Sequence, residues 1–108
     1  METIIRREKP GDESAIRRLI LSAFPGDQEA LVVDRLRDNG RLLISLVAQL
    51  EGRLVGHVAF SPAVIKNVNR ELIGAGLAPL AVLPEWQRRG IGAQLVRAGL
   101  SASKAAGT

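Results

Sequence analysis

Where the last apolar run of the chain gives way to its final amphipathic stretch, the residues read Gln87-Arg88-Arg89-Gly90-Ile91-Gly92-Ala93. Gly90 and Gly92 have no Cβ, so backbone at these positions can approach a ligand closely. The N–H groups in the first turn of a helix have no partner inside the helix, and they carry the positive end of its dipole. A phosphate or diphosphate suits that combination. Arg88 and Arg89 add full charges and forked donors for phosphate oxygens. Two other phosphate loops are excluded. A Walker A loop needs Lys-Ser/Thr after its last glycine, where this chain has Ala93-Gln94. A dinucleotide fingerprint needs a third small residue where this chain has Leu95. The plainer alternative is a turn whose glycines serve tight strand–helix packing.

Acid–base chemistry has one natural candidate. His57 is the single histidine, and histidine is the residue type that titrates near neutrality. It is the candidate general base, although a lone strand histidine also serves as a surface or supporting group. Glu85 reads as a solvated loop carboxylate, Glu71 as hairpin surface, and Trp86 as a loop anchor.

The elements that must position these residues follow from hydrophobic period and turn signals. Thr3–Arg7 reads as a short strand, closed by the turn Lys9-Pro10-Gly11-Asp12. Ile16, Leu19, Ile20 and Ala23 fall at helical spacing over 13–24, with Asp12 or Ser14 as its cap. Pro25-Gly26 stops that helix. A second, capped by Asp27, spans 28–39 with Leu31, Val32 and Leu36 as its apolar stripe. Leu42–Leu50 and Leu54–Phe60 are β-rich runs joined by Glu51-Gly52-Arg53, a tight antiparallel hairpin. Lys66 to Arg70 reads as a loop and Leu72–Val82 as an extended segment, with Pro79 marking a bulge or an edge. Ile91–Ala106 is the last helix, with Leu95, Val96, Gly99 and Leu100 inward. The order is strand, two helices, three strands, one helix: a mixed, largely antiparallel α/β (α+β) arrangement rather than the regular alternation of a doubly wound fold.

The chain has 108 residues, enough for one domain. With 46% hydrophobic and 24% charged residues it has the balance of a globular protein with a core. It lacks cysteine, which excludes disulfides, thiolate metal sites and cysteine nucleophiles. No stretch approaches the ~20 apolar residues of a membrane span and no signal peptide opens the chain, so a cytoplasmic protein is expected. The net charge of +4 divides into +1 over residues 1–83 and +3 over 84–108. That bias suits an anionic partner, and equally a solvated basic helix face.

Leu80-Ala81-Val82-Leu83-Pro84 followed by Glu85-Trp86-Gln87-Arg88-Arg89-Gly90-Ile91-Gly92-Ala93 closely resembles the acetyl-CoA motif of the GCN5-related N-acetyltransferases. That family's signature is Gln/Arg-x-x-Gly-x-Gly/Ala after a strand ending Val-x-Pro, and every position is filled here. Gly56-His57-Val58-Ala59-Phe60-Ser61-Pro62 with Gly76-Leu77-Ala78-Pro79-Leu80 looks like a small bacterial branch of the family. The resemblance covers essentially the whole chain. It implies that Leu80, Ala81 and Val82 offer backbone to pantetheine beside a bulge near Pro79. It also implies that Gln87, Arg88, Arg89, Gly90, Ile91, Gly92 and Ala93 hold the diphosphate of acetyl-CoA, and that an amine attacks the thioester directly, with His57 the candidate base here.

The chain also departs from the family pattern. Family members continue past this helix with further strands and a helix, which commonly carries a tyrosine acid. This chain has no tyrosine, and 72–82 lacks the carboxylate often used as base. The expectation is therefore a single, incomplete N-acetyltransferase domain over 1–108, acting on an amine not named by the sequence. The alternative is a truncated or non-catalytic acyl-CoA-binding module that works through self-association, a homodimer formed at the exposed sheet edge. Nucleic-acid binding through the basic last helix ranks behind both, for want of interleaved aromatics.

Overall fold

The computed structural model describes residues 3–40, 42, 44–60 and 79–105, the last three by backbone alone. The elements are β1 (Ile4–Arg7), α1 (Glu13–Ala23), α2 (Gln28–Asp38), β2 (Ile44–Leu50), β3 (Arg53–Phe60), β4 (Leu80–Val82) and α3 (Ile91–Ala105), with a 3₁₀ turn over Pro84–Trp86. This is the order that the periodicity predicts. The loop expected at 66–70 and the strand expected over 72–78 lie outside the described residues.

The four strands form an antiparallel sheet in the order β1-β2-β3-β4. The β2–β3 hairpin has a two-residue loop, because Leu50 pairs with Arg53. Both loop residues, Glu51 (φ 51°) and Gly52 (φ 81°), are left-handed, as the right-handed twist of a hairpin requires. Register parity assigns the two faces. Arg6, Val47, His57 and Ala81 share one, and Ile5, Ala48, Gly56 and Val82 share the other. Arg6 reaches Asp12 at the start of α1 (2.9 Å), so α1 and α2 cover the His57 face. Gly56 and Gly99 bring α3 close on the opposite face. A Cβ on Gly56 would stand 2.9 Å from Leu95 Cδ1, and one on Gly99 would overlap the Phe60 ring. The sheet is thus sandwiched, and Val47, Ala48, Val58, Ala59 and Phe60 are buried from both sides. Among the described residues no helix is long and apolar enough to cross a membrane.

Three expectations are corrected. The buried face of α2 is Ala30 and Val33, not Leu31 and Val32, which are 42% and 36% exposed. Arg37, one turn beyond Val33, ion-pairs with Glu8 just past β1 and rotates the helix to that face. Asp12 and Asp27 precede their helices without a side-chain cap bond. Asp12 instead accepts from the Lys9 N–H (2.7 Å) and from Arg6, closing the turn and tying it to β1. Of the bulge or edge expected at Pro79, the described residues show the edge and not the bulge: β4 ends the sheet, and its pairing runs regularly from Pro79 to Leu83, with Ala59 N–H donating to Pro79 O (3.2 Å) and Leu83 N–H to Val55 O (2.9 Å). The register shift instead falls opposite Ala48 and Gln49, with Val55 the extra residue.

Candidate functional site

The loop ahead of α3 is built by its backbone. Leu83 starts a 3₁₀ turn in which the Trp86 N–H donates to Leu83 O (2.8 Å). Arg88 (φ 66°) and Gly90 (φ 84°) are both left-handed. Left-handed residues interspersed along a turn aim successive N–H groups at one point, the arrangement of an anion nest. The first helical bond of α3 runs from Gln94 N–H to Gly90 O (3.1 Å). The amides of Ile91, Gly92 and Ala93 therefore have no partner within the helix. No acidic residue stands in the first turn to neutralise them.

The two glycines do different work. Nothing lies within 4 Å of a Cβ built on Gly90, so glycine serves its positive φ and the open space beside it. A Cβ on Gly92 would point inward, 3.4 Å from Leu80 Cδ2 and 3.9 Å from Val82 Cγ2. Gly92 faces the strand rather than the loop mouth. The alternative of a packing turn thus describes Gly92 but not Gly90. Open space, unpartnered amides and flanking arginines together fit an anionic diphosphate.

Gln87 turns back on the strand, its Nε2 donating to Val82 O (3.0 Å), and so latches loop to β4. The Arg89 guanidinium sits over the half-buried Trp86 ring, 5.0 Å from its centroid. Glu85 pairs with Arg53 at 3.4 Å on the surface. The β4 backbone divides by parity. The bonds at Pro79 and Leu83 put the odd-numbered residues, Ala81 included, against β3. The N–H and C=O groups of Leu80 and Val82 therefore point to the outer edge. Of the three strand residues expected to meet pantetheine, two present backbone there and one does not. That alternation is readable only once the register is known.

His57 lies on the other face, fully buried. Its Nε2 is 2.9 Å from Ser45 Oγ, which donates to Glu8 Oε1 (2.6 Å), and Glu8 holds Arg37 through both carboxylate oxygens. Burial lowers the imidazole from 6.5 to about 4, with Glu8 opposing and Arg37 assisting the shift. For Glu8 burial pushes upward, but the bonds from Arg37 and Ser45 outweigh it and leave the carboxyl below its ordinary value. At neutral pH the chain therefore holds a neutral imidazole beside an ionised carboxylate. Sequence reasoning singled out His57 but neither Glu8, Ser45 nor Arg37, which are far from it along the chain.

The strand–loop–helix unit, with helices on both faces of an antiparallel sheet, defines a class. Residues 13–108 match the Acetyltransferase (GNAT) family, and the chain belongs to it. It is 41% identical over 98 residues to the Escherichia coli protein called uncharacterized N-acetyltransferase YhbS, covering 90% of this chain and 58% of that protein. It is 42% identical over 91 residues to the E. coli uncharacterized N-acetyltransferase YjhQ, covering 82% of this chain and 50% of that one. The chain thus spans about half the length of the curated relatives it matches. Among solved structures, a GNAT family acetyltransferase from Brucella melitensis in complex with acetyl-CoA superposes with a TM-score of 0.82 at 34% identity, over 99% of this chain and 71% of that one. The E. coli YhbS structure in complex with CoA gives 0.78 at 32% identity, over 95% and 57%.

Proposed function

We propose that this chain binds acetyl-CoA at the amino end of α3 and takes part in transfer of its acetyl group to an amine. The observation that carries the reading is the set of unpartnered amides at Ile91, Gly92 and Ala93 behind the left-handed Arg88 and Gly90. In this reading those amides grip the diphosphate, and Arg88 and Arg89 add charge. The outward N–H and C=O of Leu80 and the N–H of Val82 pair with the amide-bearing pantetheine as a neighbouring strand would, Val82 O being held by Gln87. Gln87 holds the loop at a fixed distance from that edge, and Ala81 ties the edge to His57 on β3. Acetyl-CoA, when bound, supplies an acetyl group activated as a thioester. The protein's part is to hold it in place and to take the proton that the amine gives up. His57 is the residue proposed for that proton. Relatives crystallised with acetyl-CoA and CoA support the ligand assignment, and their names support the reaction class.

The second reading, an acyl-CoA-binding module without turnover, is favoured by the complete burial of His57 and its low basicity. In it the outer edge of β4 pairs with a second copy. Two measurements separate the readings. Calorimetric titration with CoA is expected to give one saturable site, whereas duplex DNA gives none. Thiol release from acetyl-CoA across a panel of primary amines is expected to rise above background for at least one. Binding without thiol release selects the second reading, and absence of binding overturns both.

A further inference from the structure

The hydrogen bonds around His57 determine which nitrogen of the ring carries its proton. Glu8 is ionised, held by Arg37 through both oxygens, and can only accept. The Ser45 hydroxyl has one hydrogen, and at 2.6 Å from Glu8 Oε1 it must point there, since two lone pairs at that distance repel. Ser45 Oγ is left with only lone pairs for His57, so at 2.9 Å Nε2 must be the donor. In a neutral ring Nδ1 then bears a lone pair. That atom is buried and has no hydrogen-bond partner among the described residues. A buried acceptor without a partner is costly, which marks it as a place where a donor belongs.

We propose that Glu8 and Ser45 are positioning residues that fix the His57 imidazole in its Nε2–H tautomer, so that Nδ1 can take the proton released by an amine acceptor. The tautomer stands on the geometry alone; the use of the lone pair rests on the acetyl-transfer reading. In that reading the amine nitrogen would bond to the acetyl carbon as the carbon–sulfur bond broke and CoA left as its thiolate with that bond's electron pair; the N–H bond would break, its electron pair staying on nitrogen, and the proton would bond to Nδ1, directly or through one water. The ring becomes an imidazolium whose Nε2–H points along Ser45 toward the Glu8 carboxylate. The charged groups facing this ring are Glu8, at the end of β1, and Arg37 on α2. The residues of α1 buried on the same side are Ile16, Leu19 and Ile20, and β4 contributes Ala81. Glu8 and Ser45 also line a surface recess of about 300 Å³ with Arg7, Arg37, Gly40 and Leu42, through which the relay meets solvent.

Because His57 is the only histidine, ¹⁵N-histidine labelling with long-range ¹H–¹⁵N correlation reads its tautomer directly. At pH 7 the expected spectrum has a pyrrole-like Nε2 and a pyridine-like Nδ1. Ser45→Ala is expected to bring the Nδ1–H form up to a comparable population, and Ser45→Thr to restore the original one. With the amine that gives most thiol release, Ser45→Ala is expected to lower kcat about tenfold while KM for acetyl-CoA stays within about twofold. An Nδ1–H ring in the unaltered protein overturns the proposal without any variant, and so does an unchanged tautomer in Ser45→Ala. An Nε2–H ring in a chain that releases no thiol with any amine overturns the use assigned to the lone pair and leaves the tautomer standing.

Discussion

The loop ahead of α3 and the Arg37–Glu8–Ser45–His57 chain lie on opposite faces of one sheet and are made differently. The loop is exposed, contiguous in sequence and built from backbone; its chemistry comes from amides aimed by left-handed residues. The His57 chain is built from side chains of separate elements. Its links join residues 29 positions apart (Arg37 and Glu8), 37 apart (Glu8 and Ser45) and 12 apart (Ser45 and His57). A backbone site tolerates side-chain change but not a change of φ, whereas a side-chain relay depends on every partner.

Acid should expose that difference most. His57 is lowered from 6.5 to about 4 in the folded chain, so between those values the unfolded state binds the extra proton. Its stabilisation is complete above pH 6.5 and is lost as pH falls toward 4, on the order of 3 kcal/mol in all. Glu8 and Asp12, both lowered, add a loss in the same direction at more acidic pH. Urea unfolding at pH 7 and pH 4.5 measures the drop. His57→Gln is expected to flatten it, while loop variants keep it, and a drop of equal size in His57→Gln would remove the relay from the explanation.

Gly90→Asp comes next. It places a β-carbon at φ 84° and a carboxylate beside the amides, and CoA affinity is expected to fall about a hundredfold by calorimetry. Gly92→Ala adds a methyl group only at ordinary contact distance from Leu80, and less than about a threefold change is expected. Equal effects would mean that both glycines serve one purpose. Arg88→Gly sharpens the contrast at a smaller scale. Relief of its left-handed φ is expected to raise stability by about 1 kcal/mol while CoA binding weakens severalfold. Loss of both would show that the side chain, not the backbone, holds the bend.

The same contrast explains what the sequence could disclose. The order of elements was legible because period and turn residues are local, and Glu51-Gly52 is a hairpin signal in itself. The position of the glycine loop between β4 and α3 was legible for the same reason. The face of α2 was not, because counting apolar size favours Leu31 and Val32 over Ala30 and Val33, and the deciding contact is with Glu8 in a distant segment. His57 was legible as a residue type, but its burial and its tautomer depend on register, which pairs it with Val47 and Ala81. Likewise, only the register tells that Ala81 faces β3 while Leu80 and Val82 face outward.

Gly99 gives α3 a further property. The Phe60 ring occupies the volume that any side chain at 99 would need, so the rod is bolted flat at a point eight residues beyond its first, Ile91. That is about 12 Å of rigid lever arm. Gly99→Val would pry up this end by about 1 Å or displace the Phe60 ring by as much, at a cost of about 2 kcal/mol, and swing the other end relative to β4. A fault wholly inside the molecule would thus be felt as weakened cofactor capture, with no residue of the mouth altered.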